Sequence, residues 1–508
     1  MSRDRRHERF TRADSAPLDA VHRLAQELAA LPPDRRDVPP RALLVGGFVR
    51  DALLDRATVD ADVEVYGVPA ERLEPLLETL HPGRLNTVGR SFGIFKIHLG
   101  HGIDVDVSLP RSESKTGSGH RGFSVVGDPF LPFSEAARRR DFTINALAAD
   151  PLTGEVLDAH GGLSDLDSRV LRAVDRDTFP EDPLRVWRAV QLSARLEAAV
   201  EPGTLALMRG MVGGGELRHL SRERVTEELR KLLEDAARPS VGVTLARQIG
   251  ALADRFPEIE ALAATPQDEE WHPEGDVFVH TMMVLDHAAG IVRAGRWALS
   301  PGDALHVTLG ALLHDVGKPA TTARALKDGR IRIVSPRHEA EGEAPARAVL
   351  DRLTFGEEAE RAVLAIVRHH LSPGSLYYAL ERGELDPASY TNAVRKVLKR
   401  LHPVPWSVLL AACEADWRGR GIPGVADAPY APGLRFAEAV AASRLDEAPA
   451  APLVLGRDVL ALGIPPGPEV GRLIDAVEEA RDRGEIRERD EALTLLRRLA
   501  GSRPKESP

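Results

Sequence analysis

The segment ALLVGGFVRDALLDRATVDADVEV, residues 42–65, constrains the fold of this chain most strongly. Its pattern predicts a strand, a helix that begins at a glycine pair, and a second strand that carries acidic residues. Alternate residues of a strand point to the same face, so Asp60 and Asp62 are expected to present two carboxylates side by side. Two like charges this close are costly unless a cation lies between them. The pair therefore predicts a metal site.

The glycine pair that precedes these aspartates predicts a phosphate-binding turn. Gly46 and Gly47 allow a close approach of the backbone, and the amides at the start of the following helix offer donors and the positive end of a dipole. An isolated Asp-x-Asp motif is more typical of a strand end with a surface ion pair. The nearby glycine pair and the motifs further along the chain favour a metal and phosphate site instead.

Composition restricts the class of protein. The chain has 508 residues, which suggests about three domains. Its composition is 43% hydrophobic but only 5% aromatic, which indicates a helix-rich soluble protein. Cys413 is the one cysteine, so no disulfide partner is expected. No apolar run is long enough for a bilayer, so no membrane association and a cytoplasmic location are expected. The net charge of −10 disfavours a non-specific nucleic-acid coat but permits local RNA recognition.

Hydrophobic periodicity predicts an α+β protein, with a small mixed-sheet head followed by an all-helical body. Within the head, strands are predicted at 42–46, 61–66, 93–99 and 103–109, and helices at 47–55, 69–80 and 134–148. The predicted domains are a mobile N-terminal tail over 1–40, the head over 41–158, a helical domain over 159–265, a histidine-rich helical domain over 266–445 and a C-terminal helical tail over 446–508.

A third carboxylate is expected from the strand in GIDVDVSLPR. Asp104 and Asp106 lie on one face of this strand, and either could join Asp60 and Asp62 if the two strands are neighbours. Three acidic groups suit a pair of Mg²⁺ ions. The head is therefore expected to use Mg²⁺ chemistry.

Two further pairs of residues have the spacing of one helix face. Asp141 and Asn145 are four residues apart, so Asp141 could accept from a ribose hydroxyl while Arg140 or Arg139 neutralises a phosphate. Asp182 and Arg185 are three residues apart, and a carboxylate with a guanidinium can read the edge of a base. Taken singly, each pair is more typical of an intrahelical ion pair, so the order of the motifs carries the functional prediction.

Five segments, GGFVRDALLDR, DADVEVYG, RRDFTINA, EDPLRVWRA and SRERVTEEL, resemble in this order the class II tRNA nucleotidyltransferases, which are the CCA-adding enzymes, and their bacterial poly(A) polymerase relatives. The resemblance implies Asp60, Asp62 and Asp106 as catalytic metal ligands, with Asp106 a better match than Asp104. It implies a nucleotide-binding set of Gly46, Gly47, Arg50, Arg140, Asp141, Asn145, Asp182, Arg185 and Arg188. It also implies a flexible loop over 108–128 that is linked to the switch from C to A. Asp55 departs from the family pattern, which has glycine there.

A second constellation lies in the histidine-rich domain and consists of His280, His314, Asp315 and Asp416. Neutral imidazoles and carboxylates on several helices suit a divalent transition metal with open positions for water and phosphate. The alternative is a set of core histidines. The set resembles the HD phosphohydrolase superfamily, which implies an additional metal-dependent hydrolase activity. His338, His369 and His370 are candidates for a second metal or for phosphate, and only one of the adjacent His369 and His370 is expected to be a ligand, since they point in different directions on a helix.

Together the resemblances imply addition of C and A to the tRNA 3′ end from CTP and ATP, without a template and with release of pyrophosphate. A poly(A) polymerase, a CC-only enzyme and an A-only enzyme remain as alternatives. An alternative of another class is an HD phosphohydrolase whose head binds RNA without catalysis.

Overall fold

The computed structural model describes residues 10–11, 15–35, 37–57, 61–89, 93–115, 123–327, 329–443, 452–482 and 485–501. The fold is α+β, as predicted, with a mixed sheet near the N-terminus and helices through most of the remaining chain. Two compact units are present. The first comprises Met1–Arg368 and Ala415–Asp427, and the second comprises His369–Glu414 and Ala428–Pro508. The finer domain boundaries near 158, 265 and 445 remain a prediction.

A seven-stranded sheet forms the head of the first unit, in the strand order β3-β4-β5-β2-β1-β8-β9. Its strands are β1 Arg41–Val45, β2 Ala61–Tyr66, β3 Leu85–Gly89, β4 Ile94–Gly100, β5 Ile103–Ser108, β8 Ala148–Ala149 and β9 Val156–Leu157, and a separate hairpin contains β6 Arg111–Lys115 and β7 Phe123–Gly127. β2 and β5 are parallel neighbours, whereas the other adjacent strands of the sheet run antiparallel. The two acidic strands of the sequence therefore lie side by side.

One face of this sheet packs against α1 Ala16–Ala30 and α3 Ala70–Leu80. The prediction of a mobile tail over 1–40 is wrong for α1. Its apolar stripe is buried in the core of the head, where it covers alternate residues of the strands. Burial of several Leu and Val side chains, each contributing about 1.5–3 kcal/mol, holds this helix on the sheet. The buried stripe consists of Leu18, Val21, Leu24 and Leu28.

The opposite face of the sheet carries the acidic residues and is partly covered by α4 Phe133–Arg138. The predicted helix over 134–148 is wrong beyond Arg138. The chain turns there, and a short 3₁₀ turn over Thr143–Asn145 follows. Phe142 is extended, with a φ of −125°, and the Thr143 amide donates to the carbonyl of Arg172. The backbone therefore finds hydrogen-bond partners outside a helix.

Helices dominate the rest of the first unit. They are α2 Gly47–Leu53, α5 Gly162–Asp167, α6 Leu184–Leu196, α7 Pro202–Gly213, α8 Arg222–Asp235, α9 Pro239–Gln248, α10 Ala251–Arg255, α11 Pro257–Glu260, α12 Val277–Arg293, α13 Asp303–Leu313, α14 Lys318–Thr321, α15 His338–Glu341 and α16 Glu343–Leu350. Two short strand pairs accompany them, β10 Val170–Leu171 with β11 Ala199–Val200, and the unpredicted hairpin of β12 Ala323–Lys327 and β13 Arg330–Val334. Trp187 on α6 is buried at the centre of this helical packing.

The remaining helices are α17 Glu357–His369, α18 Ser372–Glu381, α19 Pro387–Leu401, α20 Trp406–Arg418, α21 Ala431–Ser443, α22 Gly456–Leu460, α23 Pro468–Asp482 and α24 Arg489–Gly501. The last three share a small apolar core that includes Val459, Val477 and Leu496. Over the parts of the chain that the structure describes, no helix combines the length and the apolar character of a membrane span.

Candidate functional site

A cleft of about 320 Å³ opens beside the acidic face of the sheet. It is bordered by seven arginines and three aspartates, so it is strongly cationic. The lining residues are Gly46, Gly47, Arg50, Asp62, Arg111, Arg139, Arg140, Asp141, Asn145, Asp182, Leu184, Arg185, Arg188 and Arg224. An excess of guanidinium groups around a few carboxylates suits a polyphosphate, which accepts paired hydrogen bonds from arginine. The nine residues implied for nucleotide binding all border this one cleft.

The carboxylates of the predicted metal site come from adjacent strands. Asp62 on β2 is in register with Asp106 on β5, and neighbouring strands are about 4.8 Å apart. Asp60 lies outside the described residues and remains a prediction. Carboxylate oxygens at this spacing are the donors that Mg²⁺ prefers, so the residues present fit such an ion.

The two candidates for the third carboxylate share Lys96 but differ in their other partner and in their register with β2. Nζ of Lys96 lies 2.9 Å from Oδ1 of Asp106 and 3.2 Å from Oδ2 of Asp104. Asp104 also pairs with Nδ1 of His98 at 2.8 Å. Because Asp104 pairs with two basic side chains and Asp106 is the register partner of Asp62, the geometry favours Asp106 as the ligand.

The glycine turn places the backbone against an arginine. Gly46 has a φ of +73°, in the left-handed region that favours glycine, and a Cβ added there would lie 2.7 Å from Nη1 of Arg140. Arg50 on the following helix is buried, and its guanidinium pairs with Asp51 while Nη1 donates to Oδ1 of Asn145 at 2.6 Å. Arg50 is thus held rigidly at the edge of the cleft.

Asp55 occupies a backbone position that explains its departure from the family pattern. Its φ is +61°, again in the left-handed region. Aspartate enters this region more readily than most residues, although less readily than glycine. The turn after α2 therefore keeps the conformation that glycine would adopt.

Asp141 and Asn145, which were predicted to share one helix face, lie together in the structure. They do not share an α-helix, yet Nδ2 of Asn145 donates to Oδ1 of Asp141 at 2.9 Å, and Nε of Arg188 donates to Oδ2 at 2.6 Å. Burial alone would raise the pKa of Asp141, but Arg188 and the hydrogen bonds from Asn145 and Phe142 outweigh it and lower the pKa to about 2. Asp141 is therefore a fixed anion.

Asp182 and Arg185 lie at the start of α6, but they do not pair with each other as an ion pair. Arg185 donates to the carbonyls of Thr178 and Arg139 at 2.9 and 2.6 Å. Asp182 instead pairs with Nη2 of Arg224 at 3.1 Å. Arg224 was not predicted as a site residue, although it lies within the segment SRERVTEEL.

The second predicted constellation forms a buried cage in the first unit. His280 on α12, His314 and Asp315 after α13, and Asp416 on α20 are each less than a tenth exposed. Nε2 of His280 lies 3.1 Å from Oδ1 of Asp416, and Nε2 of His314 lies 3.1 Å from Oδ2 of Asp315. Imidazole nitrogens and carboxylates that converge in this way fit a divalent transition metal. All four predicted residues are thus brought together.

Three supporting residues of the cage were not predicted. Oε1 of Glu274 accepts from Nδ1 of His280 at 2.8 Å, which directs Nε2 of that histidine into the cage, and it also lies 2.9 Å from Nδ1 of His272. Lys318 pairs with Asp315 at 2.7 Å. Outer carboxylates that orient a histidine are a common feature of metal sites, so the segment HPEGD could have indicated Glu274.

His338 adjoins the cage through Asp315. Its Nε2 lies 3.3 Å from Oδ1 of Asp315, while its Nδ1 bonds with the Ser335 carbonyl at 2.8 Å. Gly317 allows this approach, since a Cβ there would lie 2.1 Å from the carbonyl oxygen of His338. Burial opposes the charge on Asp315, but His314 and Lys318 hold the pKa of that carboxyl well below its usual value.

Comparison with known proteins matches three segments of the chain to protein families. Residues 42–172 match the Poly A polymerase head domain, residues 199–262 match the family described as "Probable RNA and SrmB- binding site of polymerase A", and residues 277–399 match the HD domain. Nine of the fourteen residues that border the head cleft lie in the first of these matches and Arg224 lies in the second, while the cage contains His314 and Asp315 of the HD match.

Relatives extend the match over nearly the whole chain. A Multifunctional CCA protein of Xanthomonas campestris pv. campestris is 37% identical over 453 residues, which are 86% of this chain and 98% of the relative. The Thermotoga maritima CCA-adding enzyme complexed with tRNA has a similar fold, with a TM-score of 0.55 and 19% identity over 98% of both chains. A CCA-adding enzyme with CTP gives a TM-score of 0.57 at 19% identity, over 99% of this chain and 98% of that one. The chain therefore belongs to the family of multifunctional CCA proteins.

Proposed function

We propose that this protein adds C and A nucleotides to the 3′ end of tRNA from CTP and ATP, without a nucleic-acid template. The observation that carries the proposal is the in-register pair of Asp62 and Asp106 beside a cleft bordered by seven arginines. Relatives named as multifunctional CCA proteins, and solved structures of CCA-adding enzymes with tRNA and CTP, support the same function.

In the proposed reaction, the 3′-hydroxyl of tRNA attacks the α-phosphorus, a new O–P bond forms, and the bond to the β-phosphate oxygen breaks to release pyrophosphate. Asp60, Asp62 and Asp106 would hold Mg²⁺, which supplies activation of the hydroxyl and neutralisation of the developing charge. The arginines of the cleft hold the triphosphate in line, and Gly46 allows it to approach the backbone.

Base and sugar selection would fall to the two polar networks of the cleft. Asp182 and Arg185 at the start of α6 offer an acceptor and a donor to the base edge, and Arg224 fixes the direction of the Asp182 carboxylate. Asp141 is held as an anion by Arg188 and Asn145, so that it is ready to accept from a ribose hydroxyl. These contacts use amino-acid side chains in place of a template strand.

The direct test incubates the purified protein with tRNA that lacks its terminal CCA and supplies CTP, ATP, or both. We expect CTP alone to give two additions, and the mixture to give a complete CCA end. A long A tract would identify a poly(A) polymerase, and products that stop at CC or gain only A would identify a partial enzyme. No addition from any nucleotide would refute the proposal.

A second activity is proposed for the cage. His280, His314, Asp315 and Asp416 would hold a divalent transition metal, which supplies an activated water when bound. Lys318 beside Asp315 is placed to balance the charge of a phosphate. The test supplies a phosphomonoester or a 2′,3′-cyclic phosphate with Mn²⁺, Co²⁺ or Ni²⁺. We expect phosphate release that a chelator abolishes, whereas no release with any of these metals would leave the cage a structural element.

A further inference from the structure

Glu64 is a buried acid in the middle of the acidic face of the sheet. It lies two residues after Asp62 on β2, so it shares that face, and it is only 1% exposed. Its Oε1 accepts from Nη2 of Arg139 at 2.7 Å and from Nη2 of Arg140 at 3.0 Å. Its Oε2 accepts from the hydroxyl of Tyr66 at 2.9 Å. One carboxylate therefore binds two adjacent arginines and a tyrosine.

The partners of Glu64 fix the orientation of its carboxylate. Oε1 accepts from both arginines and Oε2 accepts from the Tyr66 hydroxyl, so both oxygens are engaged. A buried charge that lost these partners would be strongly destabilising, so the geometry of the group is tightly fixed. The anion in turn restricts the rotamers of both arginines.

The same two arginines reach the nucleotide cleft. Arg139 and Arg140 both border the cleft, with side chains 20% and 16% exposed. Nη1 of Arg140 also lies against Gly46, where a Cβ would come within 2.7 Å. One guanidinium nitrogen of each arginine is therefore bound to Glu64 in the protein interior, while the same side chain also borders the cleft.

We propose that Glu64 is a positioning residue for the triphosphate of the incoming nucleotide, and this inference rests on the proposed nucleotidyltransferase function. By anchoring Arg139 and Arg140 together, Glu64 aligns two guanidinium groups before the nucleotide arrives. Paired guanidinium donors bind phosphate most strongly when their orientation is fixed in advance, because less freedom is lost on binding. The anchor acts on the phosphates, so it is independent of the base and of tRNA.

The test compares Glu64→Gln with the matched variant Tyr66→Phe, which removes a hydrogen bond to Glu64 without touching the arginines. Calorimetry with inorganic tripolyphosphate measures the phosphate site alone, and steady-state kinetics give KM for CTP, ATP and tRNA. We expect Glu64→Gln to weaken tripolyphosphate binding by about tenfold and to raise KM for CTP and for ATP by about tenfold, while KM for tRNA stays within about twofold. We expect Tyr66→Phe to change each of these quantities by less than about threefold.

Two outcomes would overturn the inference. Unchanged tripolyphosphate affinity in Glu64→Gln would remove the role of Glu64, and equal loss of tRNA and nucleotide affinity would reduce it to a structural residue. Should Glu64→Gln fail to fold, Glu64→Asp keeps the charge but retracts the carboxylate, and the same selective rise in nucleotide KM is expected. Because tripolyphosphate binding needs no tRNA, the inference and the nucleotidyltransferase proposal can fail separately.

Discussion

The head cleft and the HD cage place carboxylates in opposite surroundings. In the head, Asp62 is exposed and Asp106 has a side chain that is 45% exposed, and arginines border the cleft around them. In the cage, His280 is fully buried and Asp315 is 1% exposed, and the neighbouring groups are mainly imidazoles. The first surroundings suit a large polyanion with a hard metal ion, and the second suit a small phosphate at a softer metal ion.

The different surroundings allow one chain to carry two separate sites for phosphate chemistry. Exposed carboxylates beside arginines bind Mg²⁺ weakly unless the nucleotide completes the site, because Mg²⁺ retains waters and shares ligands with phosphates. A buried cage with imidazoles and oriented outer carboxylates can retain its metal without a substrate.

Asp62→Ala should abolish nucleotide addition while tRNA binding survives. Loss of a metal ligand removes several kcal/mol of charge stabilisation in the transition state, which corresponds to a fall of roughly 10³-fold in kcat. Asp104→Ala is the matched control, since Asp104 lies on the neighbouring strand but pairs with Lys96 and His98. Single-turnover addition should separate the two variants. Full turnover in Asp62→Ala would refute the metal assignment in the head.

Glu274→Gln should weaken metal binding in the cage by about 10–100-fold, because the carboxylate that orients His280 is lost. His272→Gln is the matched control, since it removes the other partner of Glu274 and leaves the bond to His280 in place. Metal content after dialysis against a graded chelator measures the difference. Equal metal retention in the two variants would contradict the role of Glu274, and nucleotide addition should not change in either.

Acid should remove the contribution of Asp141 to stability. Its folded pKa is depressed from 3.8 to about 2, so its contribution is fully present above about pH 4 and is lost as the pH falls towards 2, with a total of about 2 kcal/mol. The difference in unfolding free energy between the unmodified protein and Asp141→Asn should therefore shrink over this window. A difference that stays constant from pH 5 to pH 2 would show that Asp141 is not a stabilised anion.

Arg185→Ala should relax base choice, with a rise of about tenfold in misincorporation of UTP or GTP, because a donor to the base edge is lost. Arg230→Ala is a suitable control, since Arg230 forms a pair with Glu234 on the surface of α8. Sequencing of the products after addition to truncated tRNA measures the fraction of added nucleotides that are U or G. Unchanged fidelity would mean that Arg185 serves only to bind the carbonyls of Thr178 and Arg139.

Strand alternation predicted that an aspartate of β5 would join Asp62, but it left Asp104 and Asp106 open, and the family resemblance implied Asp106, which is in register with Asp62. The four cage residues were predicted from their chemical types and from the resemblance to the HD superfamily. The helix over 134–148 could not be excluded, because the turn after Arg138 depends on the amide of Thr143 binding the distant Arg172 carbonyl. Asp141 and Asn145 nevertheless lie together, although the helix from which their shared face was predicted ends at Arg138.

Residues that act through another residue were missed for a common reason. From its position on the strand, Glu64 would be expected to be exposed. Its burial depends on hydrogen bonds from Arg139 and Arg140, which lie about 75 residues further along the chain. The role of Glu274 likewise depends on its contact with His280, and the role of Arg224 depends on its contact with Asp182. Such partners are set by tertiary packing, which periodicity and local spacing do not contain.

Whether the chain holds two independent phosphate sites is decided by assaying both activities on one preparation of the double variant His314→Ala, Asp315→Ala. Removal of two ligands should empty the cage. We predict that hydrolysis of the phosphomonoester or cyclic phosphate disappears, while CTP and ATP addition with Mg²⁺ stays within about twofold of the unmodified protein. Persistent hydrolysis, or loss of nucleotide addition in a variant that is still folded, would contradict the claim.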